Sequence, residues 1–119
     1  MTSQSTPIIN HYIAIVSLKE LDESLSYIEE VAEEVINDLD LKVVKKLSHV
    51  FSPKGITLVY ILSESHLIIH TWPESNMVHI DLFTCSYRSL KELKSSINSA
   101  FSKENIDSVK IKSVDFDKL

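Results

Sequence analysis

The apolar residues Leu21, Leu25, Ile28, Val31, Val35, Ile36 and Leu39 recur three and four apart, and on both sides of them the pattern changes to short runs rich in Ile, Val and Tyr. The first pattern winds one apolar stripe along a helix, and the second gives strands. Neither kind of element can bury its apolar side alone. A chain that mixes them has to lay helices on a sheet, and the order in which they come decides the architecture.

The strand-like runs are His11 to Leu18, Lys42 to Phe51, Ile56 to Leu62, His66 to Trp72, Val78 to Cys85 and Ser108 to Phe116. A second helical stripe, Leu90, Leu93, Ile97, Ala100 and Phe101, lies within Ser89 to Lys103. Asp22 or Ser24 is placed to cap the first helix. Glu29, Glu30, Glu33 and Glu34 read as its solvated side. The turn Ser52-Pro53-Lys54-Gly55 holds the only Gly of the chain, which points to a positive φ in a hairpin. The order β-α-β-β-β-β-α-β predicts an α+β fold, a two-layer sandwich in which an antiparallel sheet carries two helices on one face. At 119 residues, residues 1-119 make one domain.

Such a sandwich leaves the second sheet face open, and the alternation says what it carries. Along one strand His66, Ile68, His70 and Trp72 share a face, and along the next Asp81, Phe83 and Cys85 do. The opposite faces are aliphatic. A face of imidazole, indole, carboxylate and thiol is the mixture expected of a reaction site or a partner surface. Ser65 is out of phase with His70, so the Glu64-Ser65 junction is expected to be a bend or bulge.

Composition removes several classes of function. A net charge of -5 argues against nucleic acid as a partner. No apolar run is long enough to span a bilayer, so no membrane partner is expected. Met1 to Thr6 is polar and lacks the features of a signal peptide, which points to the cytoplasm. The single cysteine, Cys85, cannot form an internal disulfide and is either a small buried residue or a functional thiol. His66 and His70 lie on one strand face, but only Asp81 is near as a third ligand, so no metal is expected.

One string concentrates the chemistry: Glu64-Ser65-His66, then His70-Thr71-Trp72-Pro73-Glu74, then Asp81-Leu82-Phe83-Thr84-Cys85. It resembles the prokaryotic S-adenosylmethionine decarboxylase family, whose members are self-processing proenzymes. The resemblance runs from His11 to Phe116 and is most specific between Phe51 and Cys85. It implies a cut between Glu64 and Ser65 into a beta chain, 1-64, and an alpha chain, 65-119. Ser65 would become a pyruvoyl cofactor, which forms a Schiff base with the substrate amine and acts as an electron sink for decarboxylation. The resemblance gives His70 a part in processing, with Thr57 in the place of an assisting Ser, and makes Cys85 the proton donor. It sets Phe51 against an adenine ring, Glu74 on ribose hydroxyls and Trp72 in the pocket wall.

The implied substrate is a small amino-acid-type molecule, with S-adenosylmethionine favoured by Phe51 and Glu74 and with arginine or ornithine as alternatives. The implied role is supply of the aminopropyl donor for spermidine synthesis. The implied assembly is a homodimer of processed pairs, each site drawing on both copies. An uncleaved regulatory paralogue, or a binding module without chemistry, would be the alternatives of another class. Where the family usually has Gly, Tyr-Gly, small residues and Gly, this chain has Ile9-Asn10, Ser75-Asn76, Val78-His79 and Ser86. His11 stands where relatives carry a His near the N-terminus, and His49 and His79 read as structural or peripheral.

Overall fold

The computed structural model describes residues 8–115. Met1 to Thr6, and Phe116 at the expected end of the last strand, lie outside the described residues. The elements are β1 (Asn10–Leu18), α1 (Leu25–Asp38), β2 (Val43–Val50), β3 (Ile56–Leu62), β4 (Ser65–Trp72), β5 (Met77–Thr84), α2 (Leu90–Ala100) and β6 (Ile106–Ser113). The six strands form one sheet in the order β2-β3-β4-β5-β1-β6, and every pairing is antiparallel. The helices cover one face, as the α+β reading expects.

Register explains the division between the faces. Tyr12 lies opposite Leu82, Leu82 opposite Leu67, and Leu67 opposite Tyr60, and all four are buried. Against this face α1 buries Ile28, Val31, Ala32, Val35 and Ile36, and α2 buries Leu93 and Ile97. β2 lies at the sheet edge and has no buried residue. At the centre Leu58 and Ile69 pair with no solvent exposure. Leu58→Ala is therefore expected to cost about 2–5 kcal/mol, read as a lowered midpoint of thermal unfolding.

Local chemistry moves several of the expected boundaries. Ser24 caps α1, its hydroxyl accepting from Tyr27 N, while Asp22 accepts from Ser24 N one step outside. α2 opens on a capping box, Ser89 with Glu92, which holds the Glu92 carboxyl below the usual range through hydrogen bonds to Ser89. It stops at Ala100 and not at Lys103, because Ser102 takes a φ of 67 and turns the chain away. That early stop lets β6 begin at Ile106, two residues before the expected Ser108. The acidic side of α1 is not wholly solvated. Lys46 Nζ lies 2.8 Å from Glu29, Tyr60 Oη donates to Glu33 at 3.1 Å, and Ser99 Oγ donates to Glu34 at 2.6 Å.

Two of the turns set the site. Gly55 has a φ of 109, which glycine adopts readily, and its carbonyl accepts from Phe51 N at 2.8 Å to close the β2–β3 hairpin. After Trp72 a short 3-10 turn, Pro73–Ser75, leads to Asn76 with φ 50 and ψ 41. Asn tolerates this left-handed conformation, so it serves where the family pattern has Gly. Its backbone carbonyl and side-chain oxygen accept from Leu18 N and Leu21 N, tying the turn to the end of β1.

Candidate functional site

β4 and β5 carry the chemistry, and they place it at two ends and in a middle. At one end β3 turns into β4 through two residues, Ser63 and Glu64, with Leu62 paired to Ser65. The junction expected to be a bend or bulge is this tight turn, and Ser65 already belongs to a regular strand. The β4–β5 register pairs His66 with Phe83. Ser65 and Cys85 both lie just past this last pair, so the Glu64-Ser65 bond and Cys85 are at the same end of the β4–β5 pair. Cys85 and Ser65 are both partly exposed.

A cavity of about 280 Å³ adjoins this end, lined by Asp40, Leu41, Lys42, Leu62, Ser63, Glu64, Ser65, Ser86 and Arg88. Arg88 is its brace. The guanidinium donates to the carbonyls of Leu39, Asp40 and Tyr87 and to Ser86 Oγ. Arg88 N donates to Asn10 Oδ1 at 2.9 Å, and Tyr12 Oη donates to Arg88 O at 2.7 Å. Thr84 Oγ1 adds a bond to Ser86 O at 2.8 Å. The segment after Cys85 is thus pinned to β1 and to the corner between α1 and β2. Sequence reasoning passed over Arg88, although it is the only Arg among twelve basic residues. A guanidinium with its planar fork of donors is the side chain that can satisfy several carbonyls at once.

At the other end, Thr57 on β3 lies opposite His70 on β4, and Thr57 Oγ1 is 2.9 Å from His70 Nδ1. A groove of about 540 Å³ runs past them, lined by Phe51, Lys54, Gly55, Ile56, Thr57, His70, Thr71, Trp72, Pro73 and Glu74. Phe51 and Trp72 keep 48% and 40% of their surface exposed, so both offer aromatic area to a ligand. His49 stands edge-on to Phe51 at 4.5 Å between ring centroids. Thr71 points to the buried face and holds Ile56 N at 2.9 Å, which fixes the floor of the groove. Burial holds His70 below the usual imidazole range; His79 adds to this and Asp81 opposes it.

Between the ends, one carboxylate oxygen of Asp81 lies 2.8 Å from His11 Nε2 and 3.3 Å from His66 Nε2. Both rings pack on Phe83 at 5.5 Å, His11 edge-on and His66 stacked. His11, whose part sequence alone left open, is here the partner of Asp81. All five histidines of the chain fall on the open sheet face, because Thr57, paired with His70, also faces His49, and His70 faces His79.

The structure therefore gathers the expected residues into two groups. Glu64, Ser65 and Cys85 lie at one end, and Phe51, Thr57, His70, Trp72 and Glu74 at the other. Ser65 and His70 are five positions apart along β4, about 16 Å at the usual rise per residue. Their side chains also have opposite parity, Ser65 with buried Leu67 and His70 with the open face. One copy of the chain does not bring the two together.

Among the described residues no helix is long and apolar enough to cross a membrane. Over 92% of this chain and 91% of the other, the fold is similar to a crystal structure of the adenosylmethionine decarboxylase from Aquifex aeolicus, with a TM-score of 0.77 and 22% identity. The S-adenosylmethionine decarboxylase proenzyme of Clostridium botulinum strain Hall is 47% identical over 64 residues, 54% of this chain and 55% of that one. The chain thus spans about half the length of the first curated relatives it matches. The proenzyme of the same name from Thermotoga petrophila is 34% identical over 86 residues, 68% of this chain and 66% of that one. A family model described as S-adenosylmethionine decarboxylase matches residues 14–114, a span that includes both ends of the site. By that match, the chain belongs to the S-adenosylmethionine decarboxylase family.

Proposed function

We propose that this protein is a self-processing decarboxylase of S-adenosylmethionine, cut between Glu64 and Ser65, with each reaction site assembled from two copies of the chain. The observation that carries this reading is the partition of the residues. The bond to be cut and Cys85 lie at one end of the β4–β5 pair, while the histidine, its hydroxyl partner and the aromatic groove lie at the other. Two copies packed on their open faces about a two-fold axis would set the Ser65 end of each against the His70 end of its partner, with the Glu64-Ser65 turn at the end of β4 aiming the Ser65 hydroxyl across that face instead of along the buried parity of the strand. That face suits burial: Ile15, Leu47, Ile61 and Trp72 are 38–49% exposed on it.

Self-cleavage then follows from the chain's own groups. Ser65 Oγ adds to the carbonyl carbon of Glu64 and the peptide C–N bond breaks, leaving an ester and a free amine on residue 65. Loss of the Ser65 Cα proton and departure of the Glu64 carboxylate leave a dehydroalanine, which takes up water and releases ammonia. In the tautomer that carries its ring proton on Nδ1, directed at the Thr57 hydroxyl, His70 would have a free lone pair on Nε2 to accept the proton. Burial and the neighbouring His79 lower its basicity, which favours the neutral ring with that lone pair.

The residues present fit a pyruvoyl group at position 65. The new chain end would lie at a strand terminus beside an open cavity, with the partly exposed Cys85 at the same end of the β4–β5 pair. Such a group supplies an electron sink for loss of CO2. Phe51 and Trp72 would hold the base by stacking, Glu74 the ribose hydroxyls, and Cys85 Sγ the proton returned to the substrate carbon. The cytosol, where the aminopropyl donor for spermidine is needed, is the compartment this reading implies. CO2 release from S-adenosylmethionine, arginine and ornithine tests it. Release from S-adenosylmethionine alone is expected, and release from arginine or ornithine in its place would overturn the substrate.

A further inference from the structure

We propose that His79 is a positioning residue for the self-cleavage step: its imidazole backs the His70 ring on the open face, holds it against Thr57, and governs the pH range over which the chain cuts itself. The inference rests on the reading above that His70 serves cleavage. It starts from register. His79 on β5 lies directly opposite His70 on β4, and the two ring centroids are 5.8 Å apart. Trp72 closes the group, 6.0 Å from His70 and 6.4 Å from His79. With Thr57 on its other side at 2.9 Å, His70 is held between a hydroxyl and a second imidazole.

His79 is itself unusual. Its Nδ1 is buried and has no hydrogen-bond partner among the described residues. Buried polar atoms are nearly always paired, and an N–H left so costs about 1–3 kcal/mol. While neutral, the ring must therefore carry its proton on Nε2. A buried ring nitrogen left without a partner beside a reacting histidine calls for a use.

Two consequences fall on His70, and they agree in sign. His79 helps exclude water from the His70 ring, and a charge on one imidazole repels a charge on the other. The other titratable groups near His70 are His66 on β4, Asp81 on β5 with its partner His11, His49 on β2, and Lys54 and Glu74 in the groove loops. Of these Asp81 acts in the opposite sense, favouring the proton on His70, and burial and His79 outweigh it. Replacing His79 by Ala removes both the cover and the repulsion. His70 then holds its proton to higher pH, and its lone pair is lost to the reaction sooner on acidification.

The test has two parts. The first follows cutting of newly made wild-type, His79→Ala, His79→Phe and His70→Ala chains between pH 5.5 and 8.5. His79→Ala is expected to lose rate by about threefold or more at pH 6 while keeping most of it at pH 8, and His79→Phe, which retains the cover, to lose less. The second follows the imidazole resonances of His70 against pH in the uncut Ser65→Ala chain, with and without His79→Ala. Its midpoint is expected to rise, a readout that needs no cleavage and that reports an altered fold directly. An unchanged midpoint, or a raised midpoint with an unchanged rate profile, would overturn the role of His79. Normal cutting by His70→Ala would instead overturn the reading of His70 on which it rests.

Discussion

Ser65→Ala is expected to give a folded chain of full length that never cuts itself and releases no CO2. The expectation has three physical parts. Oγ is the only atom on residue 65 able to attack the Glu64 carbonyl, so its removal stops the first step. On the proposed mechanism no pyruvoyl group then forms, and the proposed decarboxylation loses its electron sink. The fold, by contrast, has little stake in this hydroxyl: Ser65 begins β4 at a partly exposed position, and its backbone pairing with Leu62 does not need the side chain. A change of thermal stability within about 1 kcal/mol is expected, in keeping with substitutions outside a packed core. Circular dichroism, a denaturing gel and a CO2 assay check the three parts. Persisting cleavage between residues 64 and 65 would refute the role of Ser65, and unfolding would refute its independence from the fold.

A mixture of two dead chains is expected to recover part of the cleavage that neither shows alone. On the proposed mechanism Ser65→Ala lacks the nucleophile and His70→Ala lacks the base. In a dimer of one with the other, one of the two composite sites takes Ser65 from the His70→Ala chain and His70 from the Ser65→Ala chain, and is complete. The second site carries both defects. Only the His70→Ala chain should therefore be cut, and with random pairing about half of it. The separation of Ser65 and His70 by some 16 Å, on opposite parities of one strand, is what requires this. Co-expression with distinguishable tags, followed by a denaturing gel, reads the result. Two chains that associate yet both stay intact would mean that the site is completed within a single copy.

The sequence carried the faces of the sheet well because a strand's period admits only two answers. Leu67, Ile69 and Thr71 lie on the buried side and His66, His70 and Trp72 on the open side, as the alternation required. Helix ends were less legible. The stop of α2 at Ala100 depends on a left-handed Ser102, a residue type with no strong preference for that conformation. The site was legible as a string and not as a place. Register between β4 and β5 brings Cys85 to the same end as the Glu64-Ser65 bond and sets His70 beside His79, and no local pattern specifies register. Arg88 escaped notice because its role is to satisfy carbonyls, which every residue has and no motif marks. The link between His11 and Asp81 spans seventy positions and exists only because β1 and β5 are neighbours in the sheet.

The first measurement to make is the intact mass of the purified wild-type protein under denaturing conditions. Two fragments are expected, one ending at Glu64 and one beginning at residue 65 with a pyruvoyl group and no free amine. A single uncut chain, or a second fragment that still begins with serine, would contradict self-processing at this bond.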